Sequence, residues 1–230
     1  MKYISLRFIK MEQLCPVLPL EVLSFQEMKN EQTLESVQMD QLPELIQDAI
    51  RMGKLAVERR PTLANLTDLI NHLLKQKIQV RFLDRHPTDQ HVRAQYQTGK
   101  HPCITIYRSS IQQMERFFRQ QLAPVDPKEL YMLHLFHEWF HHLEEVEIGR
   151  IDRKLAKQYR QRRFQRIVIP QVREIAAHAF TQQMMNLSWS PLLLDHLLSF
   201  QKQPHSSISL REHFHQLKDE FSKMAEVTSS

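Results

Sequence analysis

One segment of this sequence constrains the fold more than any other, because both of its ends carry helix signals. Asp126 is a favoured N-cap residue, Pro127 suits the first helical position, and Glu129 follows three residues past the cap, as in a capping box. The helix should run to about Glu147, and Gly149 should end it. Its buried face is expected to consist of Leu130, Leu133, Phe136 and Phe140.

Inside this helix the residues from His137 to His141 read His-Glu-Trp-Phe-His, which is the HExxH pattern. A spacing of four residues places both imidazoles on one helix face, one turn apart, so that their nitrogens can bind one tetrahedral zinc ion. Glu138 lies about 100° around the helix from His137, where it can face a water without being a ligand. The pattern therefore predicts Zn2+ as the cofactor, His137 and His141 as metal ligands, and Glu138 as the catalytic base.

Chance is the alternative explanation, because shuffling a sequence of this composition would produce the pattern with a probability of roughly 5%. In that case His137 and His141 would be ordinary surface or core histidines. An accidental match would more often fall in a loop, whereas this one lies in the middle of a capped helix among apolar residues. The context favours a metal site.

A catalytic zinc site usually takes three protein ligands and leaves the fourth position to water. The acidic residues later in the same helix are Glu144, Glu145 and Glu147. They are too distant, since Glu147 lies about 15 Å along the axis from His137. A second helix packed across the first is the better source, and Pro170 opens such a helix, whose apolar stripe is bordered by Glu174. Asp152, just after the first helix, is the remaining alternative.

The rest of the pattern predicts a small sheet followed by a helical half. Apolar residues recur at helical spacing over residues 43–59 and 63–76, and β-type patterns cover residues 78–82, 92–97 and 103–107. An α+β fold is therefore expected, mostly helical, with a small antiparallel or mixed sheet.

The domain organisation follows from the length, because 230 residues suit one globular domain with a helical extension. We expect residues 1–60 to form an N-terminal helical extension. Residues 61–230 should form the main domain with its C-terminal helices, and the two parts together should be one compact unit.

Composition excludes several classes of protein. The chain has only 3 glycines, so it lacks the glycine-rich loops of P-loop and Rossmann nucleotide-binding proteins. Cys15 and Cys103 lie far apart and form no CxxC pair, which indicates a reducing compartment. Arg7 and Lys10 interrupt the N-terminus before any run of signal-peptide length, and no stretch is long enough to span a bilayer. We expect a cytoplasmic protein without membrane contact.

The net charge of +5 concerns association with other molecules and does not by itself indicate a function. Nucleic acid is therefore not expected as the primary ligand.

The predicted second helix contains Glu174-Ile175-Ala176-Ala177-His178-Ala179-Phe180, and this segment resembles the E-x-x-A-x-x-F signature of the ImmA/IrrE-type zinc metallopeptidases. The order of elements is also similar, over about residues 62–200, with Pro191-Leu192-Leu193-Leu194 after the second helix. The resemblance implies a zincin-like fold with an HExxH active-site helix and a second metal-ligand helix, in which Glu174 is the third zinc ligand. It also implies a protein or peptide substrate, such as a cytosolic DNA-binding repressor cleaved in stress or mobile-element regulation.

The sequence departs from this family at three places. Phe140 stands where the family usually has a small residue, so a wider helix crossing is expected. Residues 1–60 lie outside the resemblance. The connection over residues 149–169 is long and basic, with Arg150, Arg153, Lys154, Lys157, Arg160, Arg162, Arg163 and Arg166.

Several further residues are expected near the metal site. His178 is a candidate transition-state hydrogen-bond donor, with an ordinary packed histidine as the alternative. A strand edge near Val80 or Ile104 is expected to pair with an extended substrate. His134 and His142 are expected at the surface or behind the metal ligands.

Two functions remain open at this point. The first is a zinc-dependent endopeptidase in which Glu138 takes the proton of the attacking water and passes it to the leaving amine. The second is a non-catalytic zinc-containing regulatory or interaction protein that uses its basic helical segment. An open fourth coordination position favours the enzyme, and a fourth protein ligand favours the structural site.

Overall fold

The computed structural model describes residues 3–29, 37, 39–88, 92–159, 169–202 and 210–228. Within these residues the chain forms a mostly helical α+β fold, as the sequence pattern predicts. The helices are α1 (Leu20–Lys29), α2 (Leu42–Leu55), α3 (Leu66–Lys75), α4 (Arg108–Gln121), α5 (Pro127–Leu143), α6 (Ile151–Tyr159), α7 (Gln171–Met184), α8 (Pro191–Lys202) and α9 (Leu210–Thr228). The strands are β1 (Gln79–Leu83), β2 (Ala94–Gln97) and β3 (Cys103–Tyr107).

The three strands form a small mixed sheet in the order β1-β3-β2. Strand β3 pairs in parallel with β1 and antiparallel with β2, and all of its residues are buried. The prediction that the run around Ile104 lies at a sheet edge is therefore wrong, because this residue pairs with Val80 on one side and Tyr96 on the other. The edges of the sheet are β1 and β2.

Helix α5 begins as its sequence predicts, since the side chain of Asp126 accepts a hydrogen bond from the Lys128 N–H. The predicted capping box does not form. The Glu129 carboxylate instead accepts hydrogen bonds from the Leu6 N–H and from the Ser5 hydroxyl, at 2.5 and 3.1 Å. This glutamate thereby attaches the N-terminal segment to the start of α5.

The C-terminal end of α5 differs from the expected regular helix. The α-helix stops at Leu143, and one turn of π-helix spans Glu144–Ile148 before Gly149, whose φ is 80°. A π-turn takes an additional residue per turn and changes the direction of the side chains that follow it. Glu144, the first residue of this turn, is buried, whereas the next three residues are exposed.

Helix α7 packs against both α2 and α5 and therefore connects these two helices. Gly53 of α2 lies so close to α7 that a Cβ atom at this position would be 2.2 Å from the carbonyl oxygen of Ala176. On α5, the rings of Trp139 and Phe140 pack against Phe180, with centroids 5.7 and 5.3 Å apart. Buried residues of α1 and α2 belong to the same hydrophobic core as those of α5 and α7.

The basic connection is described only in part. Its first half forms α6, in which Asp152 binds the side chain of Arg150. The residues predicted as its second half, Arg160, Arg162, Arg163 and Arg166, lie outside the described residues. No helix in the described part of the chain is both long enough and apolar enough to cross a membrane.

Replacing Gly53 with alanine should lower the free energy of unfolding by about 1–3 kcal/mol, because the new methyl group collides with the backbone of α7. At an ordinary position inside a helix the same change would raise the free energy of unfolding by about 1 kcal/mol. A decrease therefore indicates that the methyl group collides with α7. Urea unfolding followed by circular dichroism measures the difference. The exposed neighbour Lys54→Ala is the control and should stay within about 0.5 kcal/mol of wild type. An unchanged or more stable Gly53→Ala variant would contradict the close approach.

Candidate metal centre

Helices α5 and α7 bring His137, His141 and Glu174 together at the surface of a cleft. Glu174 Oε2 lies 3.0 Å from His137 Nε2, and Glu174 Oε1 lies 3.4 Å from His141 Nε2. One donor atom of each residue lies within 4.8 Å of the others, and no other such group of three occurs among the described residues.

This donor set fits a zinc ion. Tetrahedral zinc binds nitrogen and carboxylate oxygen at about 2.0–2.2 Å, which separates neighbouring ligand atoms by about 3.4 Å. Both distances between Glu174 and the imidazoles are close to this value. Two imidazoles and one carboxylate are also a common ligand set of catalytic zinc sites.

Hydrogen bonds with neighbouring side chains shift the pKa values of His141 and Glu174 in opposite directions. Burial lowers the pKa of His141, but hydrogen bonds to Glu144 and Glu174 outweigh this effect and raise it to about 10. The side chain of Glu174 is 55% exposed, and although desolvation raises its pKa, hydrogen bonds from His137 and His141 hold it well below its usual value. Zinc would need an unprotonated Nε2 on His141, so metal binding would compete with a proton there.

Glu138 lies on the same turn as the two histidines and lines the same cleft. Only 8% of the residue is exposed. Burial raises the pKa of its carboxyl, although His137, His141 and a hydrogen bond from the Tyr96 backbone N–H oppose the shift. A carboxylate with a raised pKa accepts a proton more readily, which is what a general base requires.

The cleft has a volume of about 190 Å³ and lies between α5, α7, α8 and the edge strand β2. Ala94 of β2 lines it, so the sheet edge beside the cleft belongs to β2 rather than to the runs near Val80 or Ile104. Arg93, just before β2, forms an ion pair with Asp195 of α8 at the cleft wall. Sequence reasoning missed Arg93 and Asp195, because no local pattern relates residues 102 positions apart.

His178 lies at the cleft, as its place one turn after Glu174 allows. Its ring centroid is 4.7 Å from that of His137, and its Nε2 is 3.7 Å from Asp195 Oδ2. Burial holds the pKa of His178 well below its usual value, so the imidazole is neutral. His134 also lines the cleft, whereas His142 is buried and contacts the Tyr96 hydroxyl through Nδ1 at 3.0 Å.

The two rejected ligand candidates have other partners. Asp152 is 3% exposed and its carboxylate contacts Arg150 Nη2 at 2.6 Å. Glu147 contacts Arg60 Nη2 at 2.6 Å. Neither belongs to the group formed by the two histidines and Glu174.

Removal of Glu174 should abolish zinc binding, because the two imidazoles alone leave the ion without its third ligand. We expect His141→Ala and Glu174→Ala to contain zinc only at background level after purification and dialysis, and to keep their circular dichroism spectra. Zinc content is measured by inductively coupled plasma mass spectrometry. Asp152→Asn, which weakens the contacts of this carboxylate with Arg150 and the Arg153 N–H, should retain one zinc per chain. The ligand set is wrong if Glu174→Ala keeps its zinc and Asp152→Asn loses it.

The chain was compared with protein-family models, with curated proteins and with solved structures, and none of these comparisons found a match. The likeness to ImmA/IrrE-type metallopeptidases therefore depends on the two motifs and the order of elements in the sequence. The functional argument accordingly starts from the geometry of this cleft.

Proposed function

We propose that the chain is a zinc-dependent endopeptidase in which His137, His141 and Glu174 hold Zn2+ and Glu138 is the catalytic base. The observation that carries the proposal is the convergence of two histidines of α5 with a carboxylate 37 residues from His137, beside a buried glutamate that is not part of the ligand group. A chance HExxH would have no reason to meet a third donor at 3.0 Å.

The proposed chemistry is hydrolysis of a peptide bond. When bound, zinc supplies a Lewis acid that polarises the carbonyl and lowers the pKa of a water molecule. Glu138 accepts the proton of the attacking water and then donates it to the nitrogen of the leaving amine, so that the C–N bond breaks and both products are neutral at the reacting atoms. The raised pKa of Glu138 suits both steps, because the group must take up the proton and release it again.

The proposed substrate is an extended peptide that adds to the outer edge of β2. This strand pairs with β3 on one side, and Ala94 faces the cleft on the other. An edge strand offers unpaired N–H and C=O groups to a peptide backbone. The backbone of Tyr96 lies close enough to Glu138 to lower the pKa of its carboxyl, so the base lies beside the strand on which the substrate would lie.

His178 is the proposed hydrogen-bond donor to the carbonyl oxygen of the substrate in the transition state. Its position against His137 and at the cleft wall supports this role, and a neutral imidazole retains one N–H to donate. Asp195 Oδ2 lies 3.7 Å from its Nε2, beyond hydrogen-bond distance, and so does not occupy that nitrogen.

The number of donor residues favours an enzyme over a zinc-containing regulatory protein. The described residues supply three donors, which leaves a position for water, and Glu138 stands beside them. A structural zinc site would be closed by a fourth protein ligand. The family resemblance, which is carried by the sequence, extends the proposal to a cytoplasmic enzyme that cleaves a DNA-binding repressor.

Glu138→Gln should retain zinc and lose peptide hydrolysis by about 10²–10⁴-fold, because an amide cannot accept the proton of the attacking water. The assay is digestion of a proteome-derived peptide library with zinc-loaded protein, read by mass spectrometry. Glu147→Gln removes an acidic group that binds Arg60 outside the cleft and should cleave as wild type does.

Two outcomes would contradict the proposal. Cleavage by Glu138→Gln at the wild-type rate would remove this residue from the mechanism. A zinc-loaded wild-type protein that cleaves no peptide of the library would argue for the regulatory alternative.

A further inference from the structure

Glu144 is a fully buried carboxylate that the proposed reaction does not use. It is the first residue of the π-turn after α5, and its side chain is 0% exposed. Burial of an ionised carboxylate is costly unless hydrogen bonds and opposite charges compensate it. The partners that compensate Glu144 therefore indicate what it does.

Three groups donate hydrogen bonds to this carboxylate. Glu144 Oε2 lies 2.9 Å from His141 Nδ1. The Arg173 Nε–H contacts Oε2 and Oε1 at 3.0 and 3.2 Å, and the Ile151 N–H donates to Oε1 at 3.2 Å. The carboxylate thus connects α5, the first residue of α6, and α7.

Glu144 contacts Nδ1 of His141, the ring nitrogen that points away from Glu174. When a metal displaces the proton of Nε2, a carboxylate at Nδ1 keeps the other proton on that atom and directs the Nε2 lone pair at the metal. His141 Nε2 is the atom that lies 3.4 Å from Glu174 Oε1. Glu144 therefore selects the tautomer of His141 and the direction of its ring.

The contact with Arg173 concerns the other helix of the site. Arg173 directly precedes Glu174, so the ion pair holds the same turn of α7 that presents the third carboxylate. One buried carboxylate consequently fixes a ligand of α5 and the backbone that carries the ligand of α7. Glu144 follows His141 by three residues, which places both side chains on the same face of the helix.

We infer that Glu144 and Arg173 are positioning residues that set the zinc affinity of the site. The inference rests on the proposed zinc site and adds to it the groups that orient two of its three ligands. Glu144 acts through His141, and Arg173 acts through the backbone of Glu174. Loss of such a partner behind a metal ligand typically weakens metal binding by about 10–100-fold.

The experiment is a competition for zinc between the purified protein and a fluorescent chelator, followed by the visible spectrum of the Co2+-loaded protein. Glu144→Gln keeps the size of the side chain and should raise the zinc Kd by about 10–100-fold. It should also change the Co2+ absorption bands, because the orientation of His141 changes. The thermal midpoint of the metal-free variant shows whether the fold is retained.

The matched control is Glu145→Gln. This residue is the sequence neighbour of Glu144, and its carboxylate also lies near Arg173, at 3.8 Å, but no contact joins it to His141. The substitution removes the same charge at nearly the same place and should leave both the zinc Kd and the Co2+ spectrum as in wild type. A general electrostatic effect would move both variants together.

Arg173→Lys keeps the positive charge and loses the planar contact with both carboxylate oxygens. It should weaken zinc binding by more than Glu145→Gln and by less than Glu144→Gln, and it tests the inference even if Glu144→Gln does not fold. Wild-type zinc affinity in Arg173→Lys and in a folded Glu144→Gln would overturn the positioning role and leave the zinc site intact. A wild-type protein that binds no zinc would instead overturn the proposed site, and the inference with it.

Discussion

The contact between α5 and α7 is the interaction on which the rest of the structure depends. Trp139 and Phe140 of α5 pack against Phe180 of α7, and all three rings are fully buried. Large aromatic side chains contribute more apolar area than any others, so this cluster accounts for much of the force between the helices. Helix α2 also packs against α7, and Gly53 of α2 allows it to touch the α7 backbone at Ala176. Any shift of α7 in this packing would move Glu174 relative to the two histidines.

Charge balance is the second constraint on this part of the molecule. The surroundings of Glu138, Glu144 and Glu174 shift the pKa values of their carboxyl groups in different directions. Carboxyl groups whose pKa values differ in this way can have different chemical roles. Burial raises the pKa of Glu138. For Glu144, burial also raises the pKa, but hydrogen bonds from His141 and Arg173 outweigh it and keep the group ionised. Glu174 is likewise held ionised between two imidazoles. One carboxyl is thus suited to exchange protons, and two are suited to remain charged.

The sheet contributes a wall to the cleft through its edge strand. The order β1-β3-β2 places β3 in the centre and leaves the outer edge of β2 beside α5. Tyr96 connects this strand to α5, because its hydroxyl contacts His142 Nδ1 at 3.0 Å. Arg93 connects the start of β2 to α8 through Asp195. Polar contacts therefore connect the start of this wall to α8 and the strand itself to α5.

The sequence by itself determined what depends on local spacing and local caps. The cap at Asp126, the start of the second ligand helix near Pro170, the strand over residues 103–107 and the shared face of His137 and His141 all follow from neighbours within a few residues, where helix and strand geometry are fixed. Only the tertiary structure decided which edge of the sheet borders the cleft, that Glu129 binds the N-terminal segment, and that Glu144 supports His141 together with Arg173. It also decided that Glu174 and not Asp152 meets the histidines. These contacts depend on how helices far apart in sequence pack, and packing is set by the whole core rather than by any local pattern.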